Sequence, residues 1–422
     1  MRLLIFFLIS LLPSCSIKYN YKKFFKESRL RFEYSITGDA STLKIEEKSI
    51  VRDLYWGGSK VNLIDTFQYG LYFLKIYDLK SNQLIYSRGY CNLFSEWQTT
   101  ADADTNEKTF SDCILFPEPR KDFKICIEKR DSQNRFHKVF EKDFEPESIA
   151  NSILQEGVSA RDIHKSGNFE NNVDIVFFAE GYTQNEQDKF FRDVERFKNY
   201  LFGWEPFLNY KDKINILAVF APSPQTGVDI PSTGLEVETL ADAHFGTFGI
   251  DRYLTLPDIG KVYKYLNAVP VDQVCVLVNS SKYGGGGIYN YYNIFTSDDY
   301  HAELLFLHEF GHGFASLADE YFNSEVAYED FGDLNTEPYQ PNITTLVDFE
   351  RKWMSMVPDT VPIPTPDTSL YDNAVGVFEG ANYVAEGFYR PYRNCAMQSS
   401  AMRNFCPVCE RSIEKMILFI TE

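Results

Sequence analysis

Positive charge is in short supply: 42 Lys and Arg stand against 60 Asp and Glu, a net charge of −18. That balance excludes a nucleic-acid backbone as the main partner, because phosphates are held by clustered cations. Long apolar runs are also scarce. After the stretch Leu3 to Leu12, no segment is long enough to cross a bilayer as a helix. No P-loop is present either, since the glycine-rich run Tyr283-Gly284-Gly285-Gly286-Gly287-Ile288-Tyr289 carries no Lys-Ser/Thr pair. A second CxxC is missing as well. Cys406-Pro407-Val408-Cys409 has the spacing of a redox pair or of half a zinc site, and without a partner CxxC or a nearby histidine it reads as structural.

What is present fits an exported globular chain. The 422 residues are 44% hydrophobic and 16% aromatic, enough for a substantial core and for two domains or more. Met1-Arg2 followed by an apolar run to Leu12 reads as an export signal. Leu12-Pro13-Ser14-Cys15 resembles a bacterial lipobox, which makes Cys15 a lipidation candidate and the protein a cell-envelope or outer-membrane lipoprotein. A simple secretory signal with an incidental Cys15 is the alternative. If Cys15 carries lipid, an odd number of cysteines remains, and Cys275 inside Val274-Cys275-Val276-Leu277-Val278 reads as a buried strand thiol. Disulfides are permitted but not implied.

Residues 1–15 are thus the signal, 16–150 an N-terminal domain and 160–422 a second, catalytic domain. The first domain shows period-two runs rich in aromatic and β-branched residues, such as Leu30 to Ile36 and Tyr69 to Tyr77, which predict an antiparallel β-sandwich. It carries no catalytic cluster, so a spacer, docking or stabilising role is the default. The second domain alternates: a strand at Val173 to Phe178, an amphipathic helix at Asn185 to Phe202, and strands at Ile214 to Phe220 and Val274 to Val278. That alternation predicts α/β architecture with a mixed sheet, α+β over the whole chain.

His308-Glu309-Phe310-Gly311-His312 is the stretch that carries chemistry. Histidines four apart share one face of a helix, so both imidazoles reach one Zn²⁺, and the intervening glutamate is placed to act on water. Leu304, Leu305, Leu307, Phe310, Phe314 and Leu317 bury that helix, and imidazoles inside it call for a compensating partner such as a metal. Ser297-Asp298-Asp299 offers N-cap candidates. The glycines Gly284, Gly285, Gly286 and Gly287 read as a strand edge stripped of side chains, against which an extended peptide substrate would lie.

Asp174 to Tyr182, Pro222-Ser223-Pro224 with Gly227-Val228-Asp229, Tyr283 to Tyr289, and His308 to Tyr321 together resemble the M64 (IgA peptidase-like) family, over about Asp174 to Ile413. The N-terminal region resembles the β domain that often precedes it. The resemblance implies a metzincin-like, zincin-type catalytic domain with a C-terminal helix and a methionine turn, here Asn394-Cys395-Ala396-Met397-Gln398, with Met397 under the metal.

The chain departs from the metzincin pattern HExxHxxGxxH/D: Ala315 takes the glycine position and Ala318 the third-ligand position. An unbroken helix would put Asp319 about 10 Å beyond His312, so the chain must turn around Ser316 to Ala318. Asp319 is then the expected third ligand. Glu320 is the alternative, or a group orienting a histidine.

The expectation is an exported zinc endopeptidase that cleaves peptide bonds through a metal-activated water, with Glu309 as general base and Tyr321, Tyr389 or Tyr392 as oxyanion donors. A catalytically idle binding lipoprotein and a zinc amidohydrolase acting on non-protein amides are the rival classes. No residue pattern here encodes recognition of an immunoglobulin hinge.

Overall fold

A computed structural model describes residues 20–323, 332–399 and 402–422. Cys15 and the export signal lie outside them. Seven strands come first: β1 (Phe25–Gly38), β2 (Leu43–Asp53), β3 (Tyr72–Asp78), β4 (Gln83–Tyr90), β5 (Lys108–Pro119), β6 (Phe123–Arg130) and β7 (Phe136–Phe144). They form two antiparallel sheets, ordered β2-β1-β5 and β4-β3-β6-β7. Leu30, Phe32, Tyr34 and Ile36 of β1 share one apolar cluster with Leu74 and Ile76 of β3 and Ile125 and Ile127 of β6, so the sheets face each other across it. The run expected from Tyr69 is strand only from Tyr72. Gly70 turns the chain there at φ +90°, and its carbonyl accepts a hydrogen bond from Arg130 Nε at 2.9 Å.

The next six strands are β8 (Ser159–His164), β9 (Val173–Glu180), β10 (Ile214–Phe220), β11 (Gln273–Val278), β12 (Gly285–Ile288) and β13 (Tyr292–Thr296). They make a mixed sheet ordered β12-β13-β11-β9-β10-β8. β9, β10, β11 and β13 run parallel, and the edge strands β8 and β12 are antiparallel to their neighbours. All eight residues of β9 are buried, Asp174 and Glu180 included, which explains why its apolar residues from Ile175 to Ala179 show no alternation. Ile175, Phe177 and Ala179 face a cluster with helices Gln187–Leu201, Ala302–Ala315 and Pro407–Thr421, whereas Val176 and Phe178 face Leu254, Val262 and Leu266. The amphipathic helix starts later than expected because residues 184–186 form a 3₁₀ turn closed by a Thr183/Glu186 capping box.

The HExxH helix occupies Ala302–Ala315, and its N-cap is His301 rather than Ser297, Asp298 or Asp299. Ser297 is still tied to the sheet through its N–H to Val278 O (2.8 Å), and Asp299 serves the turn by accepting from His301 N (2.7 Å). Arg29 of β1 is fully buried and donates to Leu266 O (2.7 Å) and Val269 O (3.1 Å), which fixes the first sheet pair to the loop behind the mixed sheet. Among the described residues no helix is long and apolar enough to cross a membrane.

Candidate active site

The helix that carries His308 and His312 ends at Ser316, which adopts the left-handed conformation (φ 57°). Ser316 N bonds His312 O (3.1 Å) and Leu317 N bonds Gly311 O (3.2 Å). This C-terminal turn reverses the chain without the glycine of the metzincin pattern. It also lays the Leu317 carbonyl on His312 and returns Asp319 to the imidazoles.

Both histidines have their tautomer set from behind. His308 Nδ1 donates to Ala396 O (3.0 Å) and His312 Nδ1 donates to Leu317 O (2.6 Å). The Nε2 lone pairs therefore face each other, 3.1 Å apart. Asp319 Oδ1 completes the triangle at 3.0 Å from His308 Nε2 and 3.4 Å from His312 Nε2. Tyr383 donates its hydroxyl to Asp319 Oδ2, whereas Oδ1 accepts no hydrogen bond among the described residues. Three lone-pair atoms at this spacing repel one another unless a cation or protons compensate. Their spacing is close to the ~3.3 Å edge of a tetrahedron with ~2.0–2.1 Å metal–ligand bonds, so the residues fit a zinc ion.

The electrostatics follow from this crowding. Burial works against both imidazolium ions, but Asp319 and Glu309 outweigh it, raising His308 above its ordinary value and His312 to about 9. Burial likewise opposes the Asp319 carboxylate, and the two histidines overcome it and hold that group well below the usual carboxylate range. Burial raises the Glu309 carboxyl, with His308 and His312 pulling the other way.

His308, Glu309, His312 and Asp319 line a cavity of about 640 Å³. Gly285, Gly286 and Gly287 line it too, but Gly284 does not. A Cβ on Gly284 would lie 2.3 Å from the Phe245 ring, so the lack of a side chain there lets the segment pack against Phe245. A Cβ on Gly287 would sit 2.1 Å from Glu309 O and one on Gly285 3.1 Å from Glu309 Cγ, so these glycines let the strand lie directly on the helix. The edge is covered at one point, where Leu254 N donates to Gly285 O (3.4 Å).

Of the three tyrosines expected near the oxyanion, Tyr321 lines the cavity with its ring stacked 6.3 Å from His308. Tyr389 and Tyr392 lie elsewhere. The backbone of Tyr389 pairs with Thr344 in a strand bridge, and Tyr392 packs against the core, so neither reaches the cavity. Tyr383 and Arg252, which do line it, carried no sequence signal.

Met397 is fully buried, and its sulfur would be 2.9 Å from a Cβ on Gly311, under the helix. Its carbonyl accepts from Glu320 N (2.8 Å). Glu320 itself points away from the imidazoles. Its Oε1 accepts from Asn342 Nδ2 (2.9 Å) and Cys409 Sγ (3.1 Å), which removes it both as the alternative third carboxylate and as a group orienting a histidine.

A sequence model described as IgA Peptidase M64 matches residues 162–370 and 367–417, and one described as Peptidase M64 N-terminus matches 20–141. No curated protein matches the chain.

Proposed function

Because the chain belongs to the M64 peptidase family and is thus a peptidase acting on protein or peptide, we propose that it is an exported zinc endopeptidase of zincin type with Glu309 as general base. The convergence of His308 Nε2, His312 Nε2 and Asp319 Oδ1 in the cavity that also holds Glu309 carries this reading. Zinc held by those three groups would supply a Lewis acid that acidifies a water and polarises the scissile carbonyl. The Ala396 and Leu317 carbonyls keep the imidazoles in the ligating tautomer. Tyr383 holds Asp319 from its outer oxygen. Glu309 takes the proton of the attacking water and delivers it to the leaving amine, a transfer that a buried carboxylate of raised basicity favours. His308, His312 and, more weakly, Arg252 act against the rise that burial imposes on the Glu309 carboxyl. Export is supported by the basic start and apolar run of residues 1–12.

The test is Glu309→Gln. It should retain about one zinc in the histidine site and the native circular dichroism, while kcat on a peptide library falls about a hundredfold or more. Turnover close to wild type would place the base on another residue.

A further inference from the structure

The CxxC at Cys406 and Cys409 lacks a partner in the sequence but not in the fold. Cys395, from the turn under the active-site helix, and Glu320, from the segment just after Asp319, converge on it, and one ligand atom from each of the four lies within 4.8 Å of the others. All four residues are fully buried. Cys395 Sγ and Cys409 Sγ are 3.8 Å apart, the edge of a tetrahedron with ~2.3 Å metal–sulfur bonds. Glu320 Oε1 lies 3.1 Å from Cys409 Sγ, and Oε2 has no hydrogen-bond partner among the described residues.

We propose that Glu320, Cys395, Cys406 and Cys409 hold a structural zinc ion distinct from the one at the histidines. A core of plain thiols leaves the buried Glu320 carboxylate with an oxygen that no described residue satisfies. A disulfide between any two of the three cysteines leaves the third thiol and the carboxylate unanswered. Zinc answers all four, because it accepts thiolate and carboxylate together, and thiolates disfavour calcium or magnesium. The surroundings suit an anionic sulfur set. Cys406 is the N-cap of the 15-residue helix Pro407–Thr421, whose N-terminal dipole faces the sulfurs, and Cys406 N donates to Cys395 Sγ (3.3 Å). With four protein ligands and no exposure, the site is closed, as structural zinc sites are. It would pin three segments at one point: the C-terminal helix, the turn whose Ala396 carbonyl holds His308, and the residue next to Asp319.

Metal analysis of the purified full chain should find two zinc ions per chain, and His312→Ala should keep one. Cobalt(II)-loaded His312→Ala should show thiolate-to-cobalt charge-transfer absorption in the near ultraviolet, which a site of two imidazoles and a carboxylate lacks. Glu320→Cys, which preserves a ligand at that position, should retain this metal and strengthen the absorption. One zinc in wild type and none in His312→Ala would overturn the second site while leaving the histidine site standing. One zinc that survives His312→Ala would do the reverse. A disulfide among Cys395, Cys406 and Cys409 in non-reducing peptide mapping, or an unchanged cobalt spectrum in Glu320→Cys, would also overturn the four-ligand set.

Discussion

At the scale of single residues, the centre is built from groups that hold other groups. Asp319 completes the triangle with the two imidazoles, but its orientation comes from Tyr383, which occupies the tip of a hairpin between β14 (Phe378–Ala381) and β15 (Val384–Arg390). Asn382 and Tyr383 both have positive φ, 52° and 64°, the conformation of a two-residue hairpin turn that normally ends in glycine. A tyrosine tolerates that strain here because its hydroxyl holds Asp319 and its N–H holds Tyr321 O (3.0 Å). Tyr383→Phe keeps the turn and removes only the hydroxyl. Zinc affinity, measured by chelator competition, should fall roughly 10–100-fold, the usual loss when a partner of a metal ligand is removed. Unchanged affinity would assign the orientation of Asp319 to the backbone alone. The residue scale also shows what sequence can reach. His308, Glu309 and His312 are legible together because one helix supplies all three at fixed spacing. Asp319 and Glu320 were separable only by the direction in which the broken helix leaves Ser316. Tyr383 was invisible, since a hairpin tip more than sixty residues away carries no motif, and the chain holds 27 tyrosines.

At the scale of elements, the strands that carry consecutive apolar residues, Ile175 to Ala179 in β9 and Ile216 to Phe220 in β10, were the most legible, because burial on both faces leaves no alternation to misread. β10 runs over Ile214–Phe220 as expected, and β9 extends the expected run by two residues. The glycine strand was legible as an edge, but not the reason for its glycines. Gly285 and Gly287 turn toward the active-site helix, where no side chain fits. Gly287→Ala would place a methyl 2.1 Å from Glu309 O and 2.8 Å from its carbonyl carbon, so the helix must move. We expect a loss of about 1–3 kcal/mol in denaturant unfolding, typical of overpacking, together with a fall in kcat because Glu309 moves with the backbone. Full stability and kcat in this variant would show that strand and helix separate freely. The cavity wall at residues 336–340 has a strut of its own. Lys352 is nearly buried and donates to Gln340 O (2.5 Å), with Glu337 Oε1 at 3.7 Å. Burial, partly offset by Glu337, lowers its pKa from 10.5 to about 8. Between those values the unfolded chain binds the proton and the native chain does not, so this residue makes the fold more stable as pH rises from 8 to 10.5 and adds nothing further to the pH dependence below 8. The stability difference between wild type and Lys352→Met should therefore grow by up to roughly 3 kcal/mol over that window, seen in urea unfolding at stepped pH. A flat difference would mean that the ammonium keeps its proton inside the fold.

At the scale of the whole molecule, the N-terminal sheets are more than a spacer. Arg130, Asp131, Ser132 and Asn134, at the end of β6 and in its hairpin to β7, line the same cavity as His308, Glu309 and Asp319. Glu96, from the segment between β4 and β5, does so as well. The cleft is therefore walled on one side by the mixed sheet and its helix and on the other by the first sheet pair, and Arg29, buried with its guanidinium on Leu266 and Val269 carbonyls, keeps that wall in place. This arrangement was out of reach of the sequence because it depends on contacts between residues more than two hundred positions apart, while the N-terminal strands by themselves show only a sandwich pattern. It has a kinetic consequence. A bond in a folded or long substrate must enter between the two walls, whereas a short peptide needs only the floor around Glu309. Ser132 is exposed at the rim, so Ser132→Trp narrows the entrance without touching the histidines, Glu309 or the sheet hydrogen bonds. KM for a long polypeptide should rise about tenfold, equivalent to about 1.4 kcal/mol of lost binding. For a short fluorogenic peptide, kcat and KM should both stay near wild type. Paired steady-state measurements on the two substrates provide the check. Equal effects on both would mean that the tryptophan perturbs the centre itself, and no effect on either would mean that the polypeptide approaches from the open side and the N-terminal wall takes no part in binding.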